Sequence, residues 1–467
     1  MAGVGPTLTG SYMARNRRWP SHPAVRSRAI PPRAGTATAT LSPLSAPRQI
    51  PGRENRAVNR SDAVTMDIAD PLACYRSQFP LEGPIYLDGN SLGCPSAGVV
   101  EAIEAAVRDW SENLVGGWSR WIDLPGAVGD RVGRLIGAGP GQVVVCDSTT
   151  VNLYKLAAAA LVARPERRVI LADADEFPTD RYVLQGLAKS TGRELRLIHG
   201  DAVNGLEVDD VSVLLGADTA LVCLSQVNFR SGARVDLPAI THAAHRHGAL
   251  VLWDLCHSAG AVPVGLDDAG ADLAVGCTYK YLNGGPGSPA FAYVRRDLHA
   301  ELRPPVWGWF GQDDQFAMGP DYAPAAGVRR FLSGTPPVLA LLAVDAAVAT
   351  LESAGVPALW AKSQQLTAML VDLVRDRLEP LGAVLASPAD PGRRGAHVSV
   401  AHPRAWPWCK ALIERRLVVG DFRPPEVIRL GPAPLYTRFV DVFNAVGHMA
   451  EVLEAGVEEA GDRPRVT

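Results

Sequence analysis

From Val143 to Val294 the chain repeats one pattern, a short unbroken apolar run followed by helical or turn sequence, and this repetition constrains the fold more than any other feature. The runs are VVVC (143–146), RVILAD (168–173), ELRLI (194–198), ALVCLSQV (220–227), ALVLWDL (249–255), DLAVGC (272–277) and AFAYV (290–294). Helical patterns lie between them over Val151–Val162, Asp180–Lys189 and Leu237–His247. A strand with one wet face alternates apolar and polar residues, whereas a continuous apolar run is covered on both faces. The expected fold is α/β, a large domain with a mainly parallel sheet wrapped by helices. Ligands of such sheets bind beyond the carboxyl ends of the strands, so functional residues are sought there.

With 467 residues the chain exceeds one compact core. IYLDGNSLG (85–93) reads as an extended piece and a turn, followed from Pro95 by a helix on which Val99, Ile103, Ala106, Val107 and Trp110 recur at helical spacing. Residues 66–115 are expected to form an arm packed on the small domain or a partner subunit, 116–335 the large domain, and 336–460 a smaller α+β domain. The last opens with helices Val338–Leu351 and Ala358–Glu379, continues with strands HVSVAH (397–402) and VIRLG (427–431), and closes with helix Phe439–Leu453. Residues 1–65 differ in kind: Met1 to Arg60 holds ten arginines and one acid, Glu54, without hydrophobic periodicity. A disordered Arg/Pro/Ala-rich extension is expected; an organellar transit peptide, or sequence upstream of a start at Met66, fits as well.

Composition removes several function classes. A net charge of -3 with 20% charged residues exerts no pull toward nucleic acid or an anionic membrane. No window approaches the roughly 18 apolar residues of a spanning helix. The seven cysteines are scattered singly, without C-x-x-C pairs or clustered histidines, which fits reduced thiols in a cytoplasmic protein and no metal site. A small-molecule partner is expected.

Three strand ends carry reactive residue types. After VVVC come Ser148, Thr149 and Thr150, hydroxyls that cap a helix or whose backbone donors hold an anion. After ALVLW come Asp254 and His257; a lone aspartate there is a structural ion pair or the partner of a protonated ring nitrogen. After DLAVGC stands Lys280 between Tyr279 and Tyr281, where an ammonium is costly unless it is paired, and such a residue is often kept for its chemistry. Together these are the parts pyridoxal phosphate needs: a lysine for the imine, an acid for the pyridine nitrogen and a helix start for the phosphate. No G-x-G-x-x-G or G-x-x-x-x-G-K-[ST] turn competes.

Eight ordered blocks resemble kynureninase, a hydrolase of the pyridoxal-phosphate aminotransferase class V group: YLDGNSLG (86–93), STTVNLYKL (148–156), EFPTDRY (176–182), DLCHSAG (254–260), CTYKYLNGGPG (277–287), GWFG (308–311), FLSGTPP (331–337) and IRLGPAPLYTRF (428–439). The lysine strand alone indicates only the class V group; the GNSLG, FPTD and RLGPAPLY blocks together are specific. The resemblance implies a fold-type I enzyme with pyridoxal 5'-phosphate in the large domain, forming a homodimer whose active sites are shared between subunits. Lys280 would hold the cofactor, Asp254 its pyridine nitrogen, and Thr149, Thr150 and Tyr279 its phosphate. Phe177 would stack on the ring, with Pro178, Thr179, Asp180 and His257 as further contacts. Trp309 and Thr335 would reach in from the partner subunit. Arg429 would clamp the α-carboxylate of L-kynurenine through its bidentate fork, near Asn90 and Ser91.

The implied reaction is hydrolytic cleavage of the Cβ–Cγ bond of L-kynurenine to anthranilate and L-alanine, in tryptophan catabolism, a route that also feeds NAD biosynthesis. Lys280 would remove the α-proton. Thr335 stands where animal relatives carry asparagine, and GGWSRWIDLPG (116–126) lacks their histidine, a bacterial-type pattern that leaves 3-hydroxykynurenine open as a second substrate. Two rivals remain: a cysteine desulfurase-like lyase, which needs a nucleophilic cysteine on an exposed loop, and a catalytically silent binding protein on the same fold.

Overall fold

The apolar runs form one seven-stranded sheet in a computed structural model that describes residues 57–457. Across the sheet the strands are Val143–Val145, Phe291–Val294, Leu273–Gly276, Leu250–Asp254, Thr219–Ser225, Val169–Asp173 and Glu194–Ile198. Phe291–Val294 runs antiparallel to both neighbours and the other pairings are parallel. Because side chains alternate faces along a strand, each run feeds two cores. Val169, Leu171, Val222, Leu224, Val251, Trp253 and Ala274 pack on one face. Ile170, Ala172, Leu221, Cys223, Leu250, Leu252, Leu273 and Val275 pack on the other. Helices Leu124–Ile136, Leu237–Arg246 and Val338–Ala354 cover the first face, and Thr149–Ala163 and Pro178–Thr191 the second.

A second core lies around a four-stranded antiparallel sheet in the order Asp421–Arg423, Val427–Leu430, Val398–Ala401, Val384–Leu385. Trp408, Phe439, Val446 and Met449 fill it, together with Val58, Ala63 and Leu87 from the other end of the chain. Two expected boundaries therefore move. Helix Arg60–Ile68 begins inside the stretch 1–65 read as disordered: Asn59 and Asp62 form a reciprocal capping box, and Val58 and Ala63 are buried. Met66 falls within this helix, and the rest of that stretch, up to residue 56, lies outside the described residues. Helix Val338–Ala354 belongs with the large sheet rather than beyond it, since Leu341, Val344, Val348 and Leu351 join the first core.

The two ends of the chain are tied by charge as well as packing. Asp67 accepts the backbone N–H groups of Phe439 at 2.7 Å and Val440 at 3.1 Å, capping the helix Phe439–Glu454.

On helix Ala97–Asn113 only Val99 and Ala106 of the apolar stripe are buried, Val99 against Ala343 and Ala347. Val100, Ile103, Val107 and Trp110 face outward, Trp110 at 54% exposure, and Leu114 and Val115 extend the patch. No single helix is long and apolar enough to cross a membrane; the pair Val338–Ala354 and Val356–Leu381 passes together by composition but is bent by 82°.

The helix Leu124–Ile136 escapes a reading of the sequence because Gly126, Gly129 and Gly133 depress its helix propensity. Packing explains the middle one: a Cβ on Gly129 would stand 2.1 Å from the Val143 carbonyl oxygen. In an open helix Gly→Ala would stabilise by about 1 kcal/mol. Here Gly129→Ala is expected to destabilise by about 1–3 kcal/mol through overpacking, read as a lower urea midpoint with an unchanged slope.

Candidate active site

Three strand ends meet through one sulfur. Cys256, two residues past Asp254, lies 3.8 Å from Thr149 Oγ1 and accepts the Cys277 N–H at 3.2 Å. The register that pairs Asp254 with Val275 sets the acid beside the strand that leads to Lys280.

At the first end, the helix Thr149–Ala163 opens onto a cavity of about 480 Å³ lined by Ser148, Thr149, Thr150, Tyr279, Ser288 and Pro337, among others. Ser148 caps the helix through Val151 N, which leaves other first-turn N–H groups free for an anion. Asp147 precedes it with φ +47°, an uncommon conformation for this residue type. It is held by the buried ammonium of Lys155, 2.5 Å away, which also donates to the Phe331 carbonyl at 2.6 Å. Tyr279 lines the same cavity; burial, reinforced by Cys277 and Cys256, raises its phenol so that it stays a protonated donor.

Lys280 Nζ lies 2.9 Å from His257 Nε2. Burial, then the positive charge of Lys280, holds His257 well below the ordinary histidine range, so the ring is neutral and its Nε2 accepts from Lys280 Nζ. Thr278 fixes this loop by bonds to Ser288 Oγ at 2.6 Å and the Pro289 carbonyl at 2.7 Å. Gly93, the last residue of GNSLG, donates to the Tyr279 carbonyl at 2.7 Å, and a Cβ there would lie 2.2 Å from the Lys280 carbonyl oxygen. That close approach explains why a glycine stands at this position.

Asp254 is buried, and its Oδ1 accepts Cys256 N at 2.6 Å. Asp180 bonds to it side chain to side chain; burial, then the charges of Asp254 and Glu176, hold the Asp180 carboxyl well above the usual range, so Asp180 keeps its proton. Glu176 accepts from Ser225 N at 2.8 Å, Ser225 Oγ and Phe177 N at 3.1 Å, yet burial pushes its carboxyl up to about 8. Phe177, next in sequence, is 43% exposed and meets Phe229 edge-on at 5.3 Å, while Pro178 and Thr179 start the helix that carries Asp180.

Arg429 arrives from the small sheet, buried, and is paired with Asp421: Nε donates to Oδ1 at 2.8 Å and Nη2 to Oδ2. Nη2 also reaches Ser91 Oγ at 3.1 Å, and Nη1 the Phe229 carbonyl at 2.6 Å. Burial would raise the Asp421 carboxyl, but Arg429 and Arg423 outweigh it and hold it low. The fork expected to grip a carboxylate thus already grips one. Asn90 is buried against Gly431 with no hydrogen-bond partner for either amide atom.

Lys280, Tyr279, Asp254, His257, Asp180 and Thr149 are brought together, and Ser91 joins Arg429. Trp309 and Thr335 are not part of this cluster within one chain. Trp309, 42% exposed, packs edge-on against Phe310 and Phe316. Thr335 borders a separate hollow of about 220 Å³ walled by Trp110, Trp118 and Trp121. Glu176, Ser225, Asp421 and His397 were not singled out in the sequence. Each gains its meaning from a residue brought to it by the fold, and only Glu176 lies within a recognised block. Among the described residues no group of three or more His, Cys, Asp or Glu could hold a metal.

The family model described as the kynureninase C-terminal domain matches residues 359–449. Over 405 residues the chain is 43% identical to the kynureninase of Pseudomonas fluorescens, covering 85% of this chain and 95% of that protein. The kynureninase of Burkholderia pseudomallei (strain K96243) gives the same identity and coverage. Among solved structures, the apo cysteine desulfurase of Thermococcus onnurineus NA1 aligns with a TM-score of 0.73 at 20% identity, over 82% of this chain and 98% of that one. The cysteine desulfurase CsdA of Escherichia coli aligns at 0.71 and 19%, over 83% and 99%. These structures share the fold, a fold-type I architecture, and the sequence relatives narrow it further: the chain belongs to the kynureninase family.

Proposed function

We propose that this protein hydrolyses the Cβ–Cγ bond of L-kynurenine, giving anthranilate and L-alanine, with pyridoxal 5'-phosphate as cofactor. One observation carries the reading: an amine, Lys280, and a carboxylate, Asp254, end adjacent buried strands beside a cavity closed by a helix start. The residues fit the group. The helix start and Tyr279 suit the phosphate, Asp254 the ring nitrogen, Phe177 the ring face, and the buried, unpartnered His257 Nδ1 awaits a polar atom. When bound, the cofactor supplies an electron sink for charge developing at the substrate Cα.

The protein's own groups do the rest. Lys280 Nζ takes the Cα proton, steered by the neutral His257 that holds it at 2.9 Å. Asp254 supplies the anion that keeps the electron sink poor in electrons, and the proton kept by Asp180 leaves that neighbour uncharged. One water is consumed as the γ-carbonyl carbon leaves as the carboxyl of anthranilate. Arg429 orients the α-carboxylate.

The exposed face of helix Ala97–Asn113, with Leu114 and Val115, supports a homodimer, since so large an apolar patch is seldom left to water. In that dimer Trp309 and Thr335 of one subunit complete the cleft of the other, and the tryptophan hollow beside Thr335 receives the substrate's aryl ring. Seven unpaired cysteines support a cytoplasmic location.

Three outcomes are expected. The purified protein is yellow and releases fluorescent anthranilate from L-kynurenine, and Lys280→Ala removes the colour and lowers turnover by at least about 10³-fold; a colourless wild type unable to take up pyridoxal phosphate would sink the reading. The apolar walls of the hollow favour kynurenine over 3-hydroxykynurenine by about 10- to 100-fold in kcat/KM, read from parallel assays. The third outcome concerns stability. The Glu176 carboxyl, near 8 when folded and about 4.3 when unfolded, keeps a proton that the unfolded chain has lost. Stability from this group is therefore complete below the unfolded value and falls as pH rises toward 8. Glu176→Gln in the cofactor-free protein should gain on wild type in melting temperature between pH 5 and pH 8.5.

A further inference from the structure

Resting on the function proposed above, the geometry of Arg429 leaves the substrate's α-carboxylate short of a donor. A guanidinium has five N–H groups. Four are taken, by the two oxygens of Asp421, Ser91 Oγ and the Phe229 carbonyl, and one remains on Nη1. A carboxylate drawn into this buried place by a single N–H would be poorly held, because each oxygen losing water needs a partner.

His397 stands where a second donor is wanted. It precedes the strand Val398–Ala401, in which Ser399 pairs with Arg429, so the two-residue repeat of the strand sets His397 on the face that Arg429 occupies. The ring is fully buried, and its only polar neighbour of note among the described residues is the Phe229 carbonyl, which already accepts from Arg429 Nη1 and forms no well-aligned bond with either ring nitrogen. Its centre lies 5.3 Å from that of His257, which in turn holds Lys280 Nζ at 2.9 Å. The imidazole therefore sits between the group that would meet the carboxylate and the group that would take the proton from the adjoining Cα. Burial, then the positive charge of Arg429, pushes it down to about 3, so it is neutral and carries one N–H donor. A buried imidazole met only by a carbonyl that Arg429 also engages is costly to keep, and a polar visitor resolves that cost.

We infer that His397 is a substrate-binding residue whose ring N–H meets one oxygen of the α-carboxylate while the remaining Nη1 N–H of Arg429 meets the other. Asp421 then acts as the fixed counter-charge that aims Arg429.

The test uses the holoenzyme with His397→Leu and His397→Gln. KM for L-kynurenine is measured beside kcat, and the cofactor absorption band is titrated with L-alanine and with L-alaninamide, which lacks the carboxylate. His397→Leu should raise KM by about tenfold, the worth of one buried hydrogen bond to a charged group, with the loss falling on KM rather than kcat. It should weaken L-alanine by a similar factor and L-alaninamide by much less. His397→Gln, which keeps a donor, should recover most of the loss; if His397→Leu does not fold, His397→Phe takes its place. Unchanged KM, or equal weakening of both ligands, would overturn the inference while leaving the proposed reaction intact. A wild type that takes up no cofactor and cleaves no kynurenine would overturn both.

Discussion

The site depends on the parallel pairing of Leu250–Asp254 with Leu273–Gly276. Both strands are buried on both faces, so neither can slip by a residue without turning Trp253 and Val275 into the wrong core. That register fixes the distance between an acid and an amine more firmly than any direct bond could. It also keeps the acid, and in part the amine, out of bulk water, where their charges would be muted. The remaining elements converge on this fixed pair: Cys256 touches Thr149, Gly93 touches the lysine loop, and Ser225 lies opposite Asp254 on the next strand.

The charge arrangement follows from burial. On one side of the cleft are Glu176, Asp180 and Asp254, where burial and mutual repulsion raise the Glu176 and Asp180 carboxyls. On the other are Lys280, Arg429 and Arg423, balanced in part by Asp421 and separated by two neutral imidazoles. An amino acid with its carboxylate on the cationic side and its nitrogen toward Lys280 matches that polarity. Lys155 extends the design: a single buried ammonium joins Asp147, at the cavity beside the helix start, to Phe331, on the segment leading to Thr335.

Much of this was legible in the sequence, for identifiable reasons. Uninterrupted apolar runs mark doubly covered strands, and all seven expected strands of the large sheet are present within a residue or two. Lys280 and Asp254 stood out because charged groups rarely end such runs without a task. What stayed hidden depends on distant pairing. Helix Leu124–Ile136 carries three glycines, of which the Val143 backbone explains the middle one, Gly129. Asp421 looks like a loop acid until Arg429 is folded against it, and His397 looks like the first residue of a strand until His257 comes alongside. The stripe on helix Ala97–Asn113 is a buried face by periodicity, but most of it faces outward.

The cap that Asp67 places on the helix Phe439–Glu454 has a consequence for how the chain reaches this state. The second core draws on Val58 and Ala63 at one end and Val446 and Met449 at the other. During synthesis the helix Arg60–Ile68 waits for its partners until the helix Phe439–Glu454 has left the ribosome. The large sheet can collapse before that, on contacts closer in sequence, but the strand bearing Arg429 cannot be seated until the chain closes on itself. Loop closure over such a span is slow rather than costly, because its entropy grows only with the logarithm of length. The half of the cleft that would recognise the carboxylate is therefore the last to form.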